Sequence, residues 1–152
     1  MPSDTELVLK SGTVAIAGGA FSGCTGLKSI TIPNTVTNIG RQAFYGCTAL
    51  ESITIPSSVT TIGNYAFYGS RLTSVTIPNT VTNLGVGLFY SCRQLESATI
   101  SDGIERIPND LFANCEYLET VAIPSSVKII EDRAFLYCAL TSINIPENVV
   151  IL

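Results

Sequence analysis

Residues 43–56 read AFYGCTALESITIP, and residues 20–33 read AFSGCTGLKSITIP. The same apolar phrase recurs along the chain. Phenylalanine falls at Phe21, Phe44, Phe67, Phe89, Phe112 and Phe135, in steps of 23, 23, 22, 23 and 23 residues. Leucine follows at Leu27, Leu50, Leu72, Leu95, Leu118 and Leu140, then an alternating pair such as Ile30/Ile32 or Ile53/Ile55. Proline ends the phrase at Pro33, Pro56, Pro78, Pro124 and Pro146, and Ser101-Asp102-Gly103 replaces it once. Apolar pairs such as Val36/Ile39 and Val59/Ile62 come next. A fixed period of this length marks a solenoid of stacked repeats. The two short spacings, 67–72 and 135–140, place a loop between Phe and Leu.

The repeats occupy residues 1–152 as one domain: a worn first copy at about 5–26, five further full copies, and an incomplete copy ending at 152. In the first copy Leu7 and Leu9 take the strand pair and Ile16 the inner position. The last copy stops before its Gly-x-x-Ala-Phe part, so either the array is cut from a longer one or its end stacks on another copy through Val149 and Leu152. The opening MPSDTELVLKSG has neither a basic region nor a long apolar stretch and is not expected to be a signal peptide. Hydrophobic residues make up 46% of the chain, yet none of the apolar runs approaches a membrane span of about 20 residues. Their periodic placement assigns them to a core.

Within one repeat, Ile30 and Ile32 face inward and Ser29 and Thr31 outward, the two-residue alternation of a half-buried strand. Pro33 lacks an N–H and stops pairing. Residues 34–40 cross the far side, pinned by Val36 and Ile39. RQAFYGC, residues 41–47, is predicted as one helical turn with Ala43, Phe44 and Cys47 inward. Pro108 and Glu131-Asp132, which take the place of Gly40 in other copies, suit a helix start. Pro108 also argues that this position needs no positive φ. Stacked copies then give an α/β-type repeat solenoid: a parallel β-sheet on one face, short strands or helical turns on the other, and a period of 22–23 residues. Seven strand phrases at about 4.8 Å predict a continuous ladder roughly 30 Å long.

The pattern L-x-x-I-x-I-P-x-x-V-x-x-I-G-x-x-A-F-x-x-C resembles the BspA-like leucine-rich repeat, also called the Treponema-pallidum type. The resemblance spans nearly the whole chain. It implies a right-handed solenoid with strands lining one face, an extracellular or cell-surface location, and contact with a protein partner such as a host surface or matrix protein. It carries no shared catalytic residues.

The chain has no histidine, which removes Ser-His-Asp and Cys-His nucleophile arrangements and every histidine-containing metal site. A Gly-rich phosphate loop is also missing. Asp102 and Glu105 share a turn, but two hydrated surface acids do not make an acid–base pair. The expectation is a protein that is not an enzyme and holds no cofactor or metal. A net charge of −4 argues against nucleic acid. The charge is uneven: four basic and three acidic residues in 1–76 give +1, and four basic and nine acidic in 77–152 give −5. Cys24, Cys47, Cys92, Cys115 and Cys138 form one column, with Ser70 in the gap. Side chains in a parallel column point the same way, which suits disulfides poorly. They read instead as small buried thiols that donate weakly to turn carbonyls.

Two surfaces remain as candidates. The outward strand positions Ser29, Thr31, Ser52, Thr54, Ser74, Thr76, Ser97, Thr99, Thr120 and Asn144 form columns of small polar groups. They offer a binding face, although β-branched Thr also simply suits an exposed strand. The face lacks Trp, Tyr and Arg anchors, which points to weak or multivalent binding. Tyr45, Tyr68 and Tyr90 follow the buried Phe and form a stripe that either contacts a partner or packs on itself. Adhesion and end-to-end self-assembly with other copies are therefore the two functions to separate.

Overall fold

A computed structural model describes residues 5–150 of the chain. The alternating phrases form the front strands β1 (Thr5–Val8), β3 (Leu27–Thr31), β5 (Ser52–Ile53), β7 (Ser74–Ile77), β9 (Ser97–Ile100) and β11 (Thr120–Ala122). The far side carries two-residue strands: β2 (Ala15–Ile16), β4 (Asn38–Ile39), β6 (Thr61–Ile62), β8 (Asn83–Leu84), β10 (Arg106–Ile107) and β12 (Ile129–Ile130). All pairings are parallel, and each residue pairs with its counterpart one copy on, for example Ile30 with Ile53 and Val75 with Ala98.

The core follows from the alternation. Ile30, Val75, Ala98 and Val121 point inward from the front, and Val36, Val59, Val81, Ile104 and Val127 from the far side. Through the middle runs a phenylalanine column. Rings from Phe21 to Phe135 stack on their neighbours at centroid separations of 5.3–5.8 Å and are nearly parallel. Each internal ring thus finds an aromatic partner on both sides, the offset arrangement that the ring quadrupoles favour.

The predicted helical turn is not a helix. Ala43, Phe44 and Cys47 do point inward and are fully buried. However, the backbone is left-handed at two positions in each turn: Gln42 and Gly46, Tyr65 and Gly69, Gly87 and Ser91, Asp110 and Asn114, Arg133 and Tyr137. A left-handed residue every fourth or fifth position ends any α-helical run. The turns are held across copies instead. Gln42, Phe44 and Gly46 donate to Asn64, Ala66 and Tyr68 of the next copy at 2.7–2.9 Å. The turn side is therefore a third ladder of hydrogen bonds, made of stacked turns.

The position shared by Gly40, Gly63 and Gly85 needs no positive φ, in line with the sequence. It needs close approach. A Cβ on Gly63 would sit 2.5 Å from the Arg41 nitrogen, and one on Gly85 2.3 Å from that of Asn64. These glycines also donate to Ile16, Ile39 and Ile62 carbonyls at 2.8 Å. Pro108 in this position has no N–H to give. There the far-side sheet stops, leaving β2-β4-β6-β8 separate from β10-β12.

The front ladder is not continuous either, contrary to the expected run of seven strands. It divides into β1-β3-β5 and β7-β9-β11, and residues 141–145 form no strand. Both breaks follow a short Phe-to-Leu turn. In full-length turns, Leu27, Leu50, Leu95 and Leu118 donate to Cys24, Cys47, Cys92 and Cys115 at 2.9–3.1 Å, which closes the turn before the strand begins. The turns ending at Leu72 and Leu140 are one residue shorter. Among the described residues they lack that closing bond, and the strand that follows does not pair with the copy before it.

Candidate functional site

The front face carries the polar columns. Thr31, Ser52, Thr54, Ser74, Thr76, Thr99, Thr120 and Asn144 are exposed, and Ser29 and Ser97 are half-exposed. The ladder sets Ser29 beside Ser52 and aligns Ser74, Ser97 and Thr120 in one row and Thr76 with Thr99 in the next. Among the described residues none of these ten side chains makes a hydrogen bond within the chain. The far side behaves differently. There Thr35 donates to the Thr13 carbonyl at 2.7 Å, Ser58 to Val36 at 2.6 Å and Ser126 to Ile104 at 2.8 Å. Hydroxyls of similar type thus tie copies together on one face and are left to solvent on the other.

The break between β5 and β7 opens a notch of about 300 Å³ in the front face, lined by Ile53, Thr54, Ser74, Val75, Thr76 and Pro78. A second opening of about 310 Å³ lies at the next break, among Ile123, Ser125, Asn144, Pro146, Glu147 and Asn148. The far-side break at Pro108 leaves a third, beside Thr82, Leu84, Gly103, Glu105 and Arg106. The sequence contains the deletions and the proline that cause these openings. It does not display the openings, because they arise from which backbone groups meet across copies.

Tyr45, Tyr68 and Tyr90 stack face to face, at 4.4 Å and 5.4 Å between centroids, and all three are half-buried. Their ring faces are largely taken by one another, which is packing, and what remains outward is ring edge. Tyr65 meets Tyr68 edge-on at 6.3 Å. Loss of solvent around Tyr45, and then the neighbouring Tyr68 phenol, raise the Tyr45 pKa above its ordinary value. The sequence reading did not single out Tyr117 and Tyr137, which are 58% and 71% exposed. Tyr137 holds a left-handed φ of 57° where three other copies have glycine and two have the small polar Ser91 and Asn114, a departure from the repeat that could have marked it.

The cysteines are free thiols. Cys47, Cys92, Cys115 and Cys138 donate to the carbonyls of Phe21, Phe67, Phe89 and Phe112 at 3.1–3.2 Å. The Ser70 hydroxyl lies 3.1 Å from the Cys92 sulfur and fills the vacant place in the column. Burial disfavours the thiolates. It pushes the Cys47 and Cys138 thiols up to about 11, Cys92 up to about 12, and Cys115 higher still. Such thiols are poor nucleophiles and poor metal ligands. Among the described residues no three His, Cys, Asp or Glu side chains group as a metal site, and no helix is long and apolar enough to cross a membrane.

Ion pairs join neighbouring copies, mostly in the acidic half. Arg93 meets Glu116 at 3.2 Å, Lys128 meets Glu105 at 2.7 Å, Arg133 meets Asp110 at 2.9 Å, and Arg106 pairs with Glu131. The Lys128 ammonium holds the Glu105 carboxyl below its usual range. These pairs use all four basic residues of 77–152 with four of its nine acids, so the acidic excess itself, Glu96, Asp102, Glu119, Asp132 and Glu147, lies outside them. At the end of the array Val149 is half-buried against the core, whereas Leu152 lies outside the described residues.

This geometry is that of a leucine-rich repeat solenoid whose free polar surface is its front sheet. Six copies of the BspA type leucine rich repeat region match the chain, over residues 3–118 and 37–152. The chain belongs to that family. It is similar to a leucine-rich repeat protein from Bacteroides ovatus (32% identity, TM-score 0.87, covering 97% of this chain and 45% of that one). It is equally similar to a leucine-rich cell surface protein from Faecalibacterium prausnitzii (35% identity, TM-score 0.88, 99% of this chain and 44% of that one). A Treponema pallidum leucine-rich repeat protein matches at 27% identity and TM-score 0.62, over 82% of this chain and 71% of that one. The chain spans less than half the length of the first two. Comparison with the curated proteins finds no match.

Proposed function

We propose that the chain is a non-enzymatic protein-binding module acting at a cell surface, with contact made through the Ser/Thr columns of the front sheet. One observation carries this reading: the front hydroxyls are exposed or half-exposed and among the described residues make no hydrogen bond within the chain, while their far-side counterparts are spent on holding copies together. Small hydroxyls lose little rotamer freedom on binding, so an array of them suits a broad, weak or multivalent contact. The surface location is supported by the relative from Faecalibacterium prausnitzii, itself a cell surface protein. The partner expected is a host surface or matrix protein.

The test is binding of the purified chain to immobilised extracellular matrix proteins. Thr99→Arg on the front face should weaken capture by about tenfold or more, and Thr25→Arg on the turn side should leave it unchanged. Equal effects from both would sink the sheet-face assignment.

A second reading is end-to-end association. It rests on core side chains that are only partly buried at the two ends of the array, Leu7 and Leu9 in the first copy and Ile145 and Val149 in the last. Light scattering over a wide concentration range separates the two. A constant mass near 16.1 kDa excludes assembly. Growth that Val149→Asp suppresses supports it, with Val149 and Leu152 at the contact.

A further inference from the structure

Three strands lie on each side of the break in the front face, β1-β3-β5 on one side and β7-β9-β11 on the other. Consider a two-fold axis parallel to the strands and lying in front of that break. It lays the six strands of one copy over the six of another, strand start against strand start. It sets β5 opposite β7, β3 opposite β9 and β1 opposite β11. A two-fold along the strands at any other place leaves strands of each copy uncovered.

What meets across this axis follows from the ladder. One outward column reads Val8, Thr31, Thr54, Thr76, Thr99, Ala122. Val8, 71% exposed, comes opposite the exposed Ala122, and each threonine comes opposite a threonine. In the next column Ser29 comes opposite Ser97, and Ser52 opposite Ser74. A hydroxyl both donates and accepts, so such pairs are self-complementary. At the strand entrances Lys28 comes opposite Glu96, and Glu51 opposite Thr73. Among the described residues no two like charges come directly opposite. Within one copy, in contrast, the Glu119 N–H donates to the Glu96 carbonyl at 3.0 Å, so two exposed carboxylates sit one ladder step apart. Neither belongs to the ion pairs that occupy the four basic residues of that half. Like charges so placed repel, and the Lys28 ammonium of a second copy brings the opposite charge.

Resting on the reading of the front sheet as the contact face, we propose that a second copy of this chain docks on it face to face, through a two-fold axis at the break between β5 and β7. The symmetry makes each contact twice, so Lys28 of each copy pairs with Glu96 of the other and Val8 packs on Ala122 at both ends. Aligned sheets about 10 Å apart bring the hydroxyl columns within reach of each other, directly or through one water. Six strands about 4.8 Å apart, each with about four residues in contact, cover roughly 400 Å² per copy, the size of a weak and transient contact. This assembly closes at two copies, unlike end-to-end stacking. It also covers the columns that a matrix protein would use, so self-association and capture compete.

The experiment is analytical ultracentrifugation of the full chain from micromolar to millimolar concentration at low salt. The result expected is a mass that rises toward twice that of the chain and no further. Lys28→Glu alone and Glu96→Lys alone should each weaken the dimer about tenfold, and the two together should restore it to within about threefold. Both side chains are at least half-exposed, so the variants keep the core, and Thr25→Arg on the turn side should change nothing. A mass that stays at that of one chain up to millimolar concentration would overturn the dimer. Capture by matrix proteins, with its own Thr99→Arg variant, would still report on the sheet face separately. Growth beyond two copies would overturn the closed two-fold in favour of end-to-end association. A dimer that ignores both charge reversals, or that the double variant fails to restore, would overturn the Lys28–Glu96 register.

Discussion

In four copies six steps separate the core phenylalanine from the next leucine, and in two copies five. After the longer turn, at Leu27, Leu50, Leu95 and Leu118, the following strand pairs with the copy before it. After the shorter turn, at Leu72 and Leu140, it does not. The phenylalanine stack, in contrast, crosses the short copies without interruption: Phe67 lies 5.3 Å from Phe44 and 5.5 Å from Phe89. A deletion after the Phe leaves the stacked turns in place and withdraws only the strand. The two ladders are thus joined by a spacer, and its length decides whether the front sheet closes.

The largest expected effect tests the continuous half of this comparison. Phe67→Ala in a short copy and Phe44→Ala in a full one should each cost about 3–5 kcal/mol in urea unfolding, because both rings are fully buried between two others. A clearly smaller loss at Phe67 would mean that the core loosens at the break. Next in size is conversion of a full turn into a short one. Deleting Ala49 should open the ladder between β3 and β5, at about 0.5–1.5 kcal/mol for each hydrogen bond lost, and speed amide exchange at Glu51 and Ile53. If exchange there stays slow, turn length does not control pairing.

The cysteine column gives a pH signature. The folded-state pKa of Cys92 is raised to about 12, so its contribution to stability is present below the unfolded thiol value and is lost as pH rises toward the folded one. From about pH 9 upward this group alone should lower stability by about 1.4 kcal/mol per pH unit. Cys92→Ser, which copies the Ser70 solution, should flatten the slope measured by denaturation between pH 8 and 10.5. The smallest effect concerns Thr80, which occupies the place of Thr35, Ser58 and Ser126. Those three donate to a carbonyl of the preceding copy, whereas the Thr80 hydroxyl is buried without a partner. Thr80→Val should therefore raise stability by about 1 kcal/mol, and a loss instead would reveal a bound water at that site.

The amino-acid sequence by itself determined the period, the inward residues and the parallel stacking, because burial of a repeated apolar phrase has only one way to recur. It placed the polar columns on the outer side of the front strands through simple alternation. It misjudged the turn: no residue pattern in RQAFYGC announces that Gln42 and Gly46 will both be left-handed. That conformation becomes favourable only when the N–H groups it redirects find carbonyls in the next copy. The tertiary structure alone decided where the ladders stop. A one-residue deletion and a proline are visible in the chain, yet their outcome depends on whether donors and acceptors of adjacent copies come within about 3 Å of each other, a property of the stack and not of any single repeat.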